Sequence, residues 1–276
     1  MPAHLGLENS RRPRLRLDGV PVFAYHGLST SAAVAGPAPE KEYWITEAQF
    51  REQLDRIRLG GYLVTLLREL WDATSTLDNE SSRVVLTFDD GWASDYLLVF
   101  PLLKDMGVRA DFFVNTATVG QDKFLSWREM MEMQSAGMSF QSHSHDHVDL
   151  TRLSLPGLER QLRVSRQLLV DRLGCSVDFL SAPYGLVNNR VLKVAQETGY
   201  RAICNCRCWP AQPGAPTVNR IVVSPRMTAR DYQRLLARNP VGYLARIARK
   251  PLYFPRWILL RWQPARVGVR VLEEPK

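Results

Sequence analysis

The chain has 276 residues, 45% hydrophobic and 23% charged, with a formal net charge of +8. That balance suits one large globular domain and excludes extended disorder. No run approaches the roughly eighteen apolar residues of a membrane span.

Met1 to Leu17 is polar and arginine-rich without an apolar stretch, so it does not read as a secretory signal. Val20 to Ala24 is apolar and β-prone and stops at Tyr25-His26-Gly27. Thr46-x-x-Gln49 is a capping-box pattern that predicts a helix with Phe50, Leu54 and Ile57 on one face, ended by Gly60 and Gly61. Tyr62 to Leu66 returns as a strand, and Val84 to Phe88 is the most apolar one. A helix from about Ser94 to Met106 follows, with Pro101 as a kink. Ala110 to Val114 is a strand, and Ser126-x-x-Glu129 caps the next helix, closed by Gly137.

Met138 to Gln141 reads as a strand, then Leu158, Leu162, Leu168 and Leu169 line a helix ending at Gly174. Val177 to Leu180, a helix from Asn189 to Thr198, Arg201 to Cys204, Ile221 to Val223 and a helix after Thr228 complete the series. Strands alternating with helices in this way predict parallel βα units over residues 20–240. An N-terminal extension over 1–19 and a basic, aromatic extension over 241–276 flank them. Ser29 to Lys41 and Pro210 to Pro216, rich in Ala, Gly, Pro and Ser, read as surface excursions.

The chemically capable residues fall at strand ends. His26 follows the first strand, Asp89 and Asp90 the third, His143 and His147 the fifth, and Tyr184 the sixth. In a parallel barrel all the carboxyl ends open on one face, where catalytic groups gather. Two histidines and one aspartate suit three positions on a divalent ion such as zinc, leaving the second aspartate for proton transfer. Taken singly, each has a plainer reading. An Asp-Gly pair after a strand is often only a turn, and histidines four apart can be surface groups, as expected of His145. Yet four of the chain's five histidines sit in these segments.

Thr87-Phe88-Asp89-Asp90-Gly91, His143-Ser144-x-x-His147 and Ala182-Pro183-Tyr184-Gly185, with Leu125-Ser126-Trp127 and Tyr25-His26 in support, resemble the polysaccharide deacetylases, the carbohydrate esterase group built on the NodB homology domain. The resemblance runs from about Pro21 to Arg226. It implies a distorted (β/α)7 barrel of the α/β class and a hydrolase that removes N-acetyl groups from N-acetylhexosamine units of a polysaccharide or a lipid-linked precursor. It also implies that Asp90, His143 and His147 bind a divalent metal, foremost Zn2+, with Co2+, Ni2+ or Mn2+ as alternatives. Asp89 is then the general base, and the Tyr184 backbone N–H serves the oxyanion.

The chain departs from the commonest pattern in three places. No histidine follows His147, so the resemblance to exopolysaccharide deacetylases makes His26 the general acid. Ser181 stands where many members carry an arginine that pairs with the base, which leaves open what orients Asp89, with Arg226 as one candidate. The segment Cys204 to Trp209 lacks the usual aspartate and tryptophan. These departures keep a second reading open, a carbohydrate-binding barrel without turnover, beside hydrolysis of another C–N or ester bond.

Cys204, Cys206 and Cys208 lack the two-residue gap of zinc knuckles and are expected to be small residues on one side of an irregular strand. From Val241 onward, eight Lys/Arg against Glu273 and Glu274 are interleaved with Tyr243, Tyr253, Phe254, Trp257 and Trp262. Without a nucleic-acid reading motif, an acidic membrane surface is the partner such a segment suits, against a tail simply packed on the domain. The sequence thus predicts a cytoplasmic protein with peripheral contact to the inner membrane face, and leaves its oligomeric state open.

Overall fold

The computed structural model describes residues 15–30, 42–72 and 82–248. The first half contains strands β1 (Val22–Tyr25), β2 (Leu28–Ser29) and β3 (Ile45–Thr46), helix α1 (Glu47–Leu59), β4 (Leu63–Val64), α2 (Leu67–Asp72), β5 (Arg83–Asp90), α3 (Phe100–Asp105) and β6 (Asp111–Val114). Then come α4 (Trp127–Ser135), β7 (Ser139–Ser142), α5 (Leu155–Leu173), β8 (Phe179–Ser181), α6 (Asn189–Thr198) and β9 (Ala202–Asn205). Last are β10 (Thr217–Asn219), β11 (Ile221–Val222), α7 (Ala229–Leu236) and α8 (Pro240–Ala248).

Hydrogen-bonded neighbours run β10-β9-β8-β7-β6-β5-β1-β11, with β4 beside β5 and β2 paired with β3 apart from the main sheet. All these strand pairings are parallel. The two ends of the path, β10 and β11, are consecutive in the chain with Arg220 alone between them. The sheet therefore closes at that residue, and β10 with β11 acts as one interrupted strand. Together with β1, β5, β6, β7, β8 and β9 this is the expected distorted (β/α)7 barrel.

Alternation along the strands separates two cores. Val22, Val85, Phe113, Phe179, Ala202, Cys204 and Val218 form the smaller cluster, inside the barrel. Their neighbours Phe23, Val84, Leu86, Phe88, Phe112 and Leu180 belong to the larger cluster under the helices. Two residues further along the inward face, Val85 leads to Thr87 and Asp89, Phe179 to Ser181, and Val218 to Arg220. The interior is thus apolar below and polar at its carboxyl end.

Helix termini follow the sequence closely. Thr46 with Gln49 and Ser126 with Glu129 form reciprocal capping boxes, and Gly174 and Gly199 close α5 and α6 in the left-handed conformation, where a side chain would be strained. The helix expected from Ser94 to Met106 is present: the chain is helical without a break over residues 93–105, with a π-helical turn, Asp95–Val99, set into it ahead of α3. Pro101 lies just past that turn within the helical run, at the start of the regular α3 segment, and has no N–H to donate. The short elements α2 and β10 and helix α8 have no counterpart in the sequence reading. The early part of the expected C-terminal extension is packed: Tyr243 is fully buried and its hydroxyl donates to the Leu235 carbonyl at 3.0 Å. Tyr253, Phe254, Trp257 and Trp262 lie outside the described residues, as do 1–14 of the N-terminal extension and 31–41 of the expected surface loop. No helix among the described residues is long and apolar enough to cross a membrane.

Asp111, at the start of β6, accepts the Leu67 N–H at 2.9 Å, while its Oδ1 has no hydrogen-bond partner among the described residues. Burial raises its pKa from 3.8 to about 6. A carboxyl raised on folding penalises the folded state above its folded pKa, and the penalty fades as pH falls from about 6 towards 3.8. Asp111→Asn is therefore expected to stabilise the protein at pH 8, by at most roughly 3 kcal/mol, and to give no gain near pH 4. Thermal melts at the two pH values check this; equal shifts at both would contradict it.

Candidate active site

Asp89 and Asp90 are adjacent on β5 yet serve different surroundings. Successive strand side chains point to opposite faces, and the positive φ of Asp90, 78°, breaks the pleat and turns its carboxylate across the mouth of the barrel. Among the described residues, four of the six non-glycine residues with positive φ, Asp90, Ser144, His147 and Tyr184, lie in the three motif segments. Such conformations cost on the order of 1 kcal/mol or more each and persist where the surroundings over-determine them.

Asp90, His143 and His147 each offer one ligand atom, all within 4.8 Å of one another. The Nε2 atoms of His143 and His147 stand 3.4 and 3.3 Å from Asp90 Oδ1. The other carboxylate oxygen, Oδ2, accepts from Trp92 Nε1 at 3.1 Å. His143 Nδ1 donates to the Ser181 carbonyl at 2.8 Å, which leaves Nε2 as the nitrogen facing the cluster. Burial pulls the pKa of His143 down, but the carboxylates of Asp89 and Asp90 outweigh it and hold it above the ordinary value. Burial, with His143 beside it, pushes His147 down to about 4. The carboxylates that favour a proton on His143 equally favour a cation at its Nε2. Two imidazole nitrogens and one carboxylate oxygen, oriented by bonds behind them, suit a divalent metal with positions open for substrate. Among the described residues this is the one group of that kind.

Asp89 is held from the inside of the barrel. Arg220 Nη1 donates to Oδ1 at 2.8 Å and Nη2 to Oδ2 at 2.7 Å, a two-pronged pair with both side chains almost fully buried. Ser181 Oγ donates to Asp89 Oδ2 at 3.1 Å and accepts from Arg220 Nη2 at 2.7 Å. Thr87 Oγ1 accepts from Arg220 Nη1 at 3.1 Å, and the guanidinium lies over the Phe113 ring at 5.3 Å. Burial would raise the Asp89 carboxyl; Arg220 and then His143 outweigh it and hold it below the usual range. The residue that pairs with Asp89 is thus Arg220, and not Arg226, which is exposed in the turn after β11. Ser181 is small enough to admit the guanidinium arriving from the barrel seam.

His26 reaches the same mouth by register. Tyr25 pairs with Phe88 across β1 and β5, so His26 and Asp89 are the next residues on each strand. Its ring lies on Tyr43 at 5.2 Å between centroids, and its Nδ1 has no hydrogen-bond partner among the described residues. Burial lowers its pKa, against the opposing pull of Asp90 and Asp89. Tyr184, with φ 62°, packs its ring on His147 at 4.9 Å and donates its hydroxyl to the His147 carbonyl at 3.3 Å. His145 turns away from the cluster, its Nδ1 hydrogen-bonded to Thr116 Oγ1 at 2.9 Å. Behind the pair, Asp95 is fully buried with both carboxyl oxygens unpartnered among the described residues. Burial, then the charges of Asp90 and Asp89, raise its pKa well above the usual value.

The cysteines stand apart. Cys204 is buried on β9, but the strand ends at Asn205, so Cys206 and Cys208 do not continue one face of it. None of them is in a disulfide. Cys206 packs against Gly185, where an added Cβ would meet its Sγ at 2.6 Å.

A family model for polysaccharide deacetylases matches residues 76–203. Over that stretch the chain is similar to the polysaccharide deacetylase family. The solved structure of the Streptococcus pyogenes deacetylase PplD in complex with acetate superposes on this deacetylase with a TM-score of 0.72 at 25% identity, covering 82% of this chain and 100% of that one. The Bacillus subtilis protein YxkH is 28% identical over 218 residues, 76% of this chain and 73% of YxkH. The poly-beta-1,6-N-acetyl-D-glucosamine N-deacetylase of Staphylococcus aureus is 25% identical over 175 residues, 58% of this chain and 60% of that protein. The family hydrolyses amide C–N bonds of N-acetyl groups, and this chain is a hydrolase of that kind.

Proposed function

We propose that the protein is a metal-dependent N-deacetylase of N-acetylhexosamine units in a polysaccharide or a lipid-linked glycan precursor. The observation that carries this reading is the separation of the two aspartates, Asp90 into a three-residue ligand set and Asp89 into a clamped, ionised carboxylate beside it. The Staphylococcus aureus relative, a poly-N-acetylglucosamine deacetylase by name, supports the substrate class.

Asp90, His143 and His147 would hold the ion. When bound, a divalent metal, foremost Zn2+, would polarise the acetyl carbonyl and make a water more acidic. Asp89 accepts the proton of the water that attacks the carbonyl carbon. Its depressed pKa keeps it ionised, and the fork of Arg220 fixes its direction. The Tyr184 N–H stabilises the oxyanion, a contribution on the order of 3 kcal/mol. The C–N bond then breaks as the leaving nitrogen receives a proton from His26, and acetate and a free amine remain. The reading without turnover drew on the absent arginine at position 181 and the absent late histidine; Arg220 supplies a guanidinium to Asp89 and answers the first of these.

Acetate release from N-acetylglucosamine oligomers by the purified protein tests the proposal. Chelation is expected to abolish release and to lower the melting temperature, with Zn2+ or Co2+ restoring both. His143→Ala and His147→Ala are expected to lose the metal-dependent melting shift as well as turnover. Full activity after chelation would overturn the metal role, and a restored melting shift without acetate release would favour a binding protein.

A further inference from the structure

Among the described residues, helix α8 is fixed on one side only. Gly242 brings it close to α7, where an added Cβ would meet Arg234 Cβ at 2.8 Å. Tyr243 is buried and meets the Trp209 ring edge-on at 5.8 Å. The opposite face carries Val241, Leu244 and Ile247, which are 62%, 59% and 40% exposed. Their spacing of three places them in one row along the helix. A surface helix normally shows polar residues there.

The position of the row matters as much as its chemistry. Arg246 Nη2 donates to the Val222 carbonyl at 2.7 Å, at the carboxyl end of β11 and thus at the mouth of the barrel. Arg246 is also among the charges acting on Tyr43, the residue stacked on His26. From Val241 onward the chain holds eight Lys/Arg against two Glu, with Tyr253, Phe254, Trp257 and Trp262 among them.

We infer that the outer face of α8, with the cationic chain that continues from it, docks on an anionic lipid surface and sets the mouth of the barrel beside the bilayer. Val241, Leu244 and Ile247 enter the boundary between headgroups and acyl chains, and the Lys and Arg residues meet lipid phosphates. A second copy is the weaker occupant, because like charges face each other and one short row falls far below the roughly 1,200 Å² a stable interface buries. Docking stands independently of the deacetylase reading, since it uses none of the site residues.

Co-sedimentation of the full chain with vesicles tests it, comparing phosphatidylcholine alone with phosphatidylcholine mixed with phosphatidylglycerol, at low and high salt. Binding is expected only to the anionic vesicles and is weakened by salt. The combined Val241→Ser, Leu244→Ser and Ile247→Ser variant is expected to lower partitioning about tenfold while leaving acetate release and the melting temperature unchanged; Leu244→Ser alone gives a smaller loss in the same direction. No binding to anionic vesicles, or equal binding by the serine variants, overturns the proposal. So does a dimer in size-exclusion chromatography that the serine variant dissolves, which would place a second copy on the row.

Discussion

Asp89→Asn is expected to lower acetate release by about a thousandfold, the scale of a lost general base, while the protein still takes up its metal. Asparagine keeps the size of the side chain and can accept one guanidinium bond from Arg220. It cannot take a proton at neutral pH, and its amide nitrogen faces the remaining donors, Arg220 Nη2 and Ser181 Oγ. The metal-induced rise in melting temperature should persist, because Asp90, His143 and His147 are untouched. That pairing of lost turnover with retained metal response separates a base from a ligand. Undiminished release would remove Asp89 from the chemistry, and loss of metal uptake would make it part of the ligand set.

Arg220 is expected to matter for stability as much as for rate. Arg220→Met leaves Asp89 buried without its counter-charge, a change that costs about 3 to 5 kcal/mol in comparable buried pairs and lowers the melting temperature by roughly 10 °C. Arg220→Lys keeps the charge but not the fork that bonds both oxygens, so part of the stability returns while kcat stays depressed. Because Arg220 acts through Asp89, the loss should fall on kcat rather than on KM. Ser181→Ala removes a donor to Asp89 and an acceptor for Arg220, with a smaller expected cost of about 1 to 2 kcal/mol. Combined with Arg220→Met the two losses should not add, since both side chains belong to one hydrogen-bonded unit. A melt within a degree of the parent for Arg220→Met, with kcat intact, would refute this role.

Where the sequence reading failed, the failures share a cause. Arg226 does not meet Asp89, because that pairing is decided by which face of which strand a residue occupies. Val218 and Arg220 share the inward register of β10 and the seam, a period-two signal present in the sequence; using it requires knowing that this short segment closes the barrel. The helix expected across Pro101 is there, but its apolar spacing does not reveal the π-helical turn inside it. Tyr243 was grouped with an aromatic tail, although its partners Leu235 and Trp209 bury it. Capping residues and glycine stops were read correctly because they act within a few residues.

The sequence by itself determined the alternation of strands and helices, the ends of the capped helices, and the segments that carry Asp89, Asp90, His143, His147, Tyr184 and His26. Those features rest on local hydrogen bonding and hydrophobic period. Only the tertiary structure decided what those residues do to one another. Closure of the sheet at Arg220 brings a guanidinium to Asp89 across 131 positions of chain, and the left-handed turn at Asp90 parts two adjacent carboxylates between a barrel interior and its mouth. Both depend on long-range register, which no local pattern of side chains encodes.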